Sequence, residues 1–517
     1  MNTETDTAKP FSLKRLVLVM LTILVSVVMG QSLISSWNQP QVASRLQLYQ
    51  TDLLLQGSAW QAEFLSEEQR AAVRSGLIGN DPVQSALEQY QEVRQTAASA
   101  IARSQAQIQE LDLPSATEEG KPLSRRLQAS VSQQQALLSE LDLRIGLLKA
   151  NQGETATAVS QWQQVQAQSL PASDKGQTAA ALIQLWQDQA PATTAEQQLT
   201  QNLEGWFRYR ALEKLYQTEG ELEQEATLLT QEQSEAERQL VKLALVGTVP
   251  ALGAVLGTGL LIGLLVQRLT RGNESLLLQN AGRGWDITWN GEIIWQVLIV
   301  GFFFVGQIAL PLLLGSLGLG FATFSSRARA FYSMAYYLLM AASGIGVLIW
   351  SLRPYRPLPA DLFRFELKGR WWLWGLGGYL VALPLMLGVS LLNQQIWQGQ
   401  GGSNPLLQTV LEEQDPVALL VFLLTAAIAA PLFEEVLFRG FLLPSLTRYL
   451  PVWGAIGLSA LIFAAAHLSL SEVLPLTLLG VILGFVYTRS RNLLAPILLH
   501  SAWNSVTMLG LFILGSR

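Results

Sequence analysis

The run Pro431-Leu432-Phe433-Glu434-Glu435-Val436-Leu437-Phe438-Arg439-Gly440 sets two adjacent acids and an arginine in an otherwise apolar stretch. With the apolar residues Val417 to Leu432 before it, the segment is long enough to cross a bilayer. At the centre of an isolated membrane helix Glu434, Glu435 and Arg439 would each cost ~3 kcal/mol, about 9 kcal/mol together. The pattern therefore predicts that they face a bundle interior and pair there. The chain has only two histidines, His467 and His500, and both follow within its last hundred residues. With Asn504 they are the polar partners on hand.

Working outward, apolar runs occupy about Val452 to Leu468, Val473 to Tyr487 and Leu493 to Leu514 after this segment, and about Leu243 to Val266, Ile293 to Leu317, Tyr332 to Leu352 and Trp371 to Leu392 before it. Lys14-Arg15 and the run from Leu16 to Ile34, closed by Trp37, add an N-terminal anchor, so nine spans are expected, the eighth of them short. Basic residues after the second, fourth and eighth spans fit a cytoplasmic N-terminus; Arg327 and Arg329 dissent.

Half of the 517 residues are hydrophobic and 14% are charged, too apolar for an average soluble enzyme. Charge divides unevenly: residues 38–240 hold 26 of the 39 acids and 15 of the 34 bases, a net of −11, which leaves +6 for the remainder. Residues 38–240 are rich in Gln, Ala, Leu and Glu with apolar positions at helical spacing. Ile145-Gly146, Gly153, Ala158 and Trp162, and again Tyr209, Leu212, Tyr216 and Gly220, suggest tetratricopeptide-like units; antiparallel or coiled-coil helices are the alternative. The expected organisation is a cytoplasmic tail and anchor (1–37), a soluble extracytoplasmic helical domain (38–240), accessory membrane helices (241–400) and a motif-bearing membrane core (401–517). This is an all-α, polytopic transmembrane helix bundle with an inserted helical domain. The absence of cysteine excludes disulfides, thiolate metal sites and a cysteine nucleophile. No basic, aromatic-laced cluster points to nucleic acid.

Three motifs fall on three of the last four spans: Glu434-Glu435-x-x-x-Arg439, Phe463-x-x-x-His467 and His500-x-x-x-Asn504. Residues four apart share a helix face, so Glu435 is expected to pair with Arg439, and His500 with Asn504 to project together. Glu434 points about 100° away from Glu435 and meets other neighbours. A division of labour follows. Glu435 and Arg439 form a structural ion pair, Phe463 packs beside them, and Glu434 takes a proton from water. His467 shares or relays that proton, while His500 and Asn504 donate to an oxyanion. Base, water and oxyanion donors describe amide hydrolysis.

These motifs, with Arg491-Asn492-Leu493-Leu494-Ala495-Pro496 leading to His500, resemble the CPBP family of intramembrane proteases, also called the Abi or type II CaaX prenyl endopeptidase family, over about residues 417–514. The resemblance implies an all-helical membrane core, peptide-bond hydrolysis within the membrane, and catalytic roles at Glu434, His467, His500 and Asn504. In prenyl-processing relatives the substrate is the C-terminal tripeptide of a lipidated protein; other members are linked to bacteriocin immunity or to protein maturation and scaffolding. A metal-free, glutamate-activated water is favoured, with zinc on Glu434, His467 and His500 as the alternative. Expected partners are membrane lipids, a peptide or lipidated-protein substrate, and a protein bound by residues 38–240. The membrane is of plasma or thylakoid type. A non-catalytic scaffold or chaperone acting through the soluble domain is the second functional reading, and a proton-relaying transporter the third.

Overall fold

Glutamine-, alanine- and leucine-rich sequence in one half of the chain and long apolar runs in the other both fold as helix, and among the described residues of the computed structural model there is no β-strand. The structure describes residues 12–37, 41–61, 66, 68–69, 76, 78–111, 120–169, 173–318, 324–413 and 415–516. They form two units, one of residues 1–37, 250–397 and 401–517, the other of residues 38–249 and 398–400.

In the second unit, helices Val42–Gly57, Pro82–Leu111, Gly120–Asn151, Thr155–Gln168, Asp174–Trp186, Gly205–Glu219 and Leu222–Leu243 are the main elements. The turns after Asn151 and Glu219 are tight because Gly153 and Gly220 adopt left-handed conformations, with φ of 86° and 74°. Gly146 has no side chain for a packing reason: a Cβ there would lie 2.2 Å from Nε1 of the fully buried Trp162. That indole N–H donates to Leu143 O at 3.1 Å, so the Gly146–Trp162 contact locks Gly120–Asn151 to Thr155–Gln168. A polar cluster adds to the apolar core. Asp52 accepts from Tyr90 and, at 3.0 Å, from Arg144, while Arg144 reaches Glu140 at 2.8 Å and its guanidinium lies over Phe207.

Among the described residues eight helices are long and apolar enough to cross a membrane: Leu13–Ser36, Leu222–Glu274, Gly291–Ser316, Ser326–Tyr355, Trp371–Trp397, Pro416–Leu446, Leu470–Ser490 and Leu494–Gly515. The protein is a multi-pass membrane protein. Where the sequence expects a seventh full span from Val452, the helix has only 14 residues and stops at Ala465; the eighth, expected short, has 21. The stop is a backbone event: the N–H groups of His467 and Leu468 shift to carbonyls three residues back, and Leu468 turns left-handed at φ 57°.

Close helix approach in the first unit uses glycine. A Cβ on Gly257 would stand 1.8 Å from Leu380 O, and one on Gly480 2.8 Å from the Ala460 Cβ. The N-terminal helix is fastened by Lys14 and Arg15, each 3.0 Å from Glu292, and by Trp295 Nε1 donating to Thr22 at 2.8 Å. Arg327, out of place by loop charge, lies 2.5 Å from Asp415 at the same end of the bundle.

Among the described residues three of the membrane helices carry π-helical segments that end two residues before a proline: Ala244–Thr248, Val297–Ala309 and, on one helix, both Thr425–Ala429 and Glu435–Leu442. In Val297–Ala309 and Thr425–Ala429 the hydrogen bonds run i to i+5, with Leu310 N–H on Val305 O and Ala430 N–H on Thr425 O. The next donor in that register would be Pro311 or Pro431, and neither has an N–H. Gly306 O and Ala426 O are thereby released from the helix. Tyr336 donates to the first and Asn504, at 2.7 Å, to the second.

Candidate active site

The segment Pro416–Leu446 carries the acids through a second π-helical stretch, Glu435–Leu442. Glu435 and Arg439, at 0% and 1% side-chain exposure, are joined at 2.8 Å between Oε1 and Nη1. The guanidinium also donates to Gly480 O at 3.2 Å and sits 4.6 Å from the centre of the Phe463 ring. Gly480 thus serves twice, by letting the helix approach and by presenting its carbonyl. Leaving either charge of this buried pair alone would be expensive, so the pair pins three helices together.

His500, on the Leu494–Gly515 helix, enters this pair from the side: its Nδ1 is 2.8 Å from Glu435 Oε1 and its Nε2 3.9 Å from Glu434 Oε2. The two acids, expected to have separate neighbours, share one imidazole. Glu434 keeps 14% of its side chain exposed, and its Oε1 accepts from the Tyr337 hydroxyl at 3.0 Å. Tyr337 escaped the sequence reading because it lies 97 residues upstream with no motif around it.

Phe463 is the centre of the arrangement. Its ring lies 5.0 Å from His467, 5.9 Å from His500 and 5.3 Å from Phe438. His467 itself is off the helix, in the turn that follows Ala465, with Nδ1 2.9 Å from Phe463 O. It makes no hydrogen bond or ion pair with Glu434 or His500 among the described residues. Its electrostatic neighbour is Glu472, which accepts from the Asn404 N–H at 2.6 Å. Asn504 was expected beside His500, facing an oxyanion; its amide nitrogen is instead committed to Ala426 O.

The zinc alternative fails a test of fit. Among the described residues no three His, Asp or Glu side chains converge so as to hold one ion. Glu434 and Glu435 address opposite nitrogens of His500, and His467 stands apart across Phe463. Glu434, His467 and His500 do not form a zinc ligand set in this arrangement.

Fold and site together define a multi-pass helical membrane protein with an ionisable, largely buried cluster open at Glu434. Residues 416–506 match the family described as type II CAAX prenyl endopeptidase, Rce1-like. The likeness to that family is confined to this region, and the class of protein it supports is a membrane endopeptidase. It is 26% identical over 170 residues to the "Putative membrane peptidase YdiL" of Bacillus subtilis, covering 32% of this chain and 68% of that protein. It is 35% identical over 114 residues to an "Uncharacterized 24.3 kDa protein" of Escherichia coli, covering 21% and 51%. With the "UPF0177 protein YxdF" of Lactococcus lactis it shares 27% identity over 161 residues, covering 31% and 85%. No solved structure matches.

Proposed function

We propose that the protein cleaves peptide bonds of membrane-associated or lipidated proteins with a water activated by Glu434. The observation that carries this is the 3.9 Å gap between Glu434 Oε2 and His500 Nε2, with Tyr337 behind the first group and Glu435 behind the second. Such a separation is too long for a direct bond and suits a water touching both. Glu434 takes a proton from that water as its oxygen attacks the peptide carbonyl carbon, and His500 Nε2–H donates to the oxyanion. Glu434 then delivers the proton to the leaving amine as the C–N bond breaks. His467, half-buried beyond Phe463, meets the substrate rather than Glu434, and Asn504 braces the acid-bearing helix.

The family's prenyl endopeptidase description and the membrane peptidase relative support this substrate class. Residues 38–240 act as an extracytoplasmic recruiting domain, with the N-terminus cytoplasmic in a plasma or thylakoid-type membrane. The test compares the protein termini of membranes holding wild type or Glu434→Ala. A set of termini present only with wild type is expected, with cleavage reduced roughly 10²- to 10⁴-fold in the variant at equal abundance. Identical termini in both would refute the proposal.

A further inference from the structure

Tyr337 belongs to the Ser326–Tyr355 helix, outside residues 416–506, yet its hydroxyl donates to Glu434 Oε1 at 3.0 Å. The contact is built into the helix packing. The Tyr337 ring meets Phe433, the residue before Glu434, edge to face at 6.1 Å. Two turns further along the same helix face, Gly344 leaves room for that Phe433 ring, since a Cβ there would lie 3.0 Å from it. Tyr336, on the neighbouring face, turns away to the freed Gly306 carbonyl.

A glutamate carboxylate rotates broadly about its last bond, and Glu434, unlike Glu435, makes no ion pair with an arginine among the described residues. We infer that Tyr337 is a positioning residue for the reaction: by holding Oε1 it sets the carboxylate plane so that Oε2 faces the water site at His500. This rests on the role of Glu434 proposed above. It means that the site is completed by an accessory helix, and that the stretch shared with the family is not the whole of it.

The experiment sets Tyr337→Phe beside Tyr336→Phe, two equal losses of one hydroxyl from adjacent residues, in the full-length protein in proteoliposomes. Cleavage of a synthetic peptide spanning a terminus lost in Glu434→Ala is expected to show kcat reduced roughly 10- to 100-fold in Tyr337→Phe with KM within about twofold, the loss of a hydrogen bond to a charged group. Tyr336→Phe is expected to lower only the melting temperature. An infrared pH titration gives a substrate-free readout: the carboxyl band that vanishes in Glu434→Gln should persist to higher pH in Tyr337→Phe and stay unmoved in Tyr336→Phe. Ring-fluorinated tyrosine at 337 keeps a stronger donor and should move the band the other way, and serves also if the phenylalanine variant does not fold. An unchanged band and kcat in Tyr337→Phe would overturn the assignment. Wild-type cleavage by Glu434→Gln would instead overturn the proposed role of Glu434 as the base, leaving the band to judge Tyr337.

Discussion

The membrane site and the helical unit of residues 38–249 use one device with different outcomes. In each, a glutamate four residues before an arginine forms an ion pair, Glu435–Arg439 in one and Glu140–Arg144 in the other. Each guanidinium lies over a phenylalanine ring, Phe463 at 4.6 Å or Phe207 at 5.3 Å. Each cluster contains a third group from another helix bonded to a carboxylate, His500 on Glu435 or Tyr90 on Asp52. The difference is chemical. Tyrosine keeps its proton near neutral pH, so the Asp52–Arg144 cluster holds helices together, whereas a histidine side chain can exchange one. Beside that histidine stands a second acid, Glu434, which makes no ion pair with an arginine among the described residues. The lesson is that a buried ion pair is structural until a titratable group and a free acid are placed against it.

Breaking the arginine in each region measures how differently the two are embedded. Arg439→Ala leaves Glu435 charged and fully buried, and is expected to cost about 3–5 kcal/mol, read as lost thermal stability in detergent. Arg144→Ala, whose partners Glu140 and Asp52 keep 46% and 32% exposure, should cost about 1–2 kcal/mol. Replacing both Glu435 and Arg439 by leucine should restore stability to within about 1 kcal/mol of wild type or better. Cleavage should stay absent, because His500 Nδ1 then has no carboxylate to orient it. Equal costs for the two single alanine variants would erase the distinction between the regions.

A smaller effect isolates the bracing of the acid-bearing helix. Asn504→Ala leaves the Ala426 carbonyl without its donor, at an expected cost of about 1–3 kcal/mol. Pro431→Ala returns an N–H to the position five residues after Ala426. In that background the cost of Asn504→Ala should fall by about 1 kcal/mol, a coupling that a double-mutant cycle of melting temperatures detects. Strict additivity would mean that the missing proline N–H is not what makes Asn504 necessary.

What the sequence disclosed follows from which contacts are local. The membrane bundle was legible in the apolar runs, and the Glu435–Arg439 pair in its four-residue spacing, because both depend on neighbours along one helix. The sharing of His500 by both acids was not, since it depends on a helix 65 residues further on and on a π-helical register around Glu435. His467 looked helical because nothing in Ala464-Ala465-Ala466 signals a stop; the left-handed turn falls on Leu468, where no glycine marks it. Pro431 was visible, but its consequence, a carbonyl released five residues earlier, appears only once the register is known.

The smallest expected effect concerns pH and falls on Asp52. Burial pushes the Asp52 carboxyl above its ordinary value, with Arg144 and Tyr90 pulling it back and Glu140 pushing it up. Its side chain remains 32% exposed, so the push is partial and the effect modest. A carboxyl raised in the folded state holds its proton to higher pH there than in the unfolded chain. Its stabilising contribution is therefore complete below the unfolded value and is lost as pH rises through the folded one. Asp52→Asn cannot ionise and escapes that loss. Its melting temperature, relative to wild type, should climb as pH is raised from the acid side through the window above the usual carboxylate range, and then level off. A relative melting temperature that falls over the same window would mean that Arg144 outweighs burial at Asp52, and that this cluster depends on a charged carboxylate.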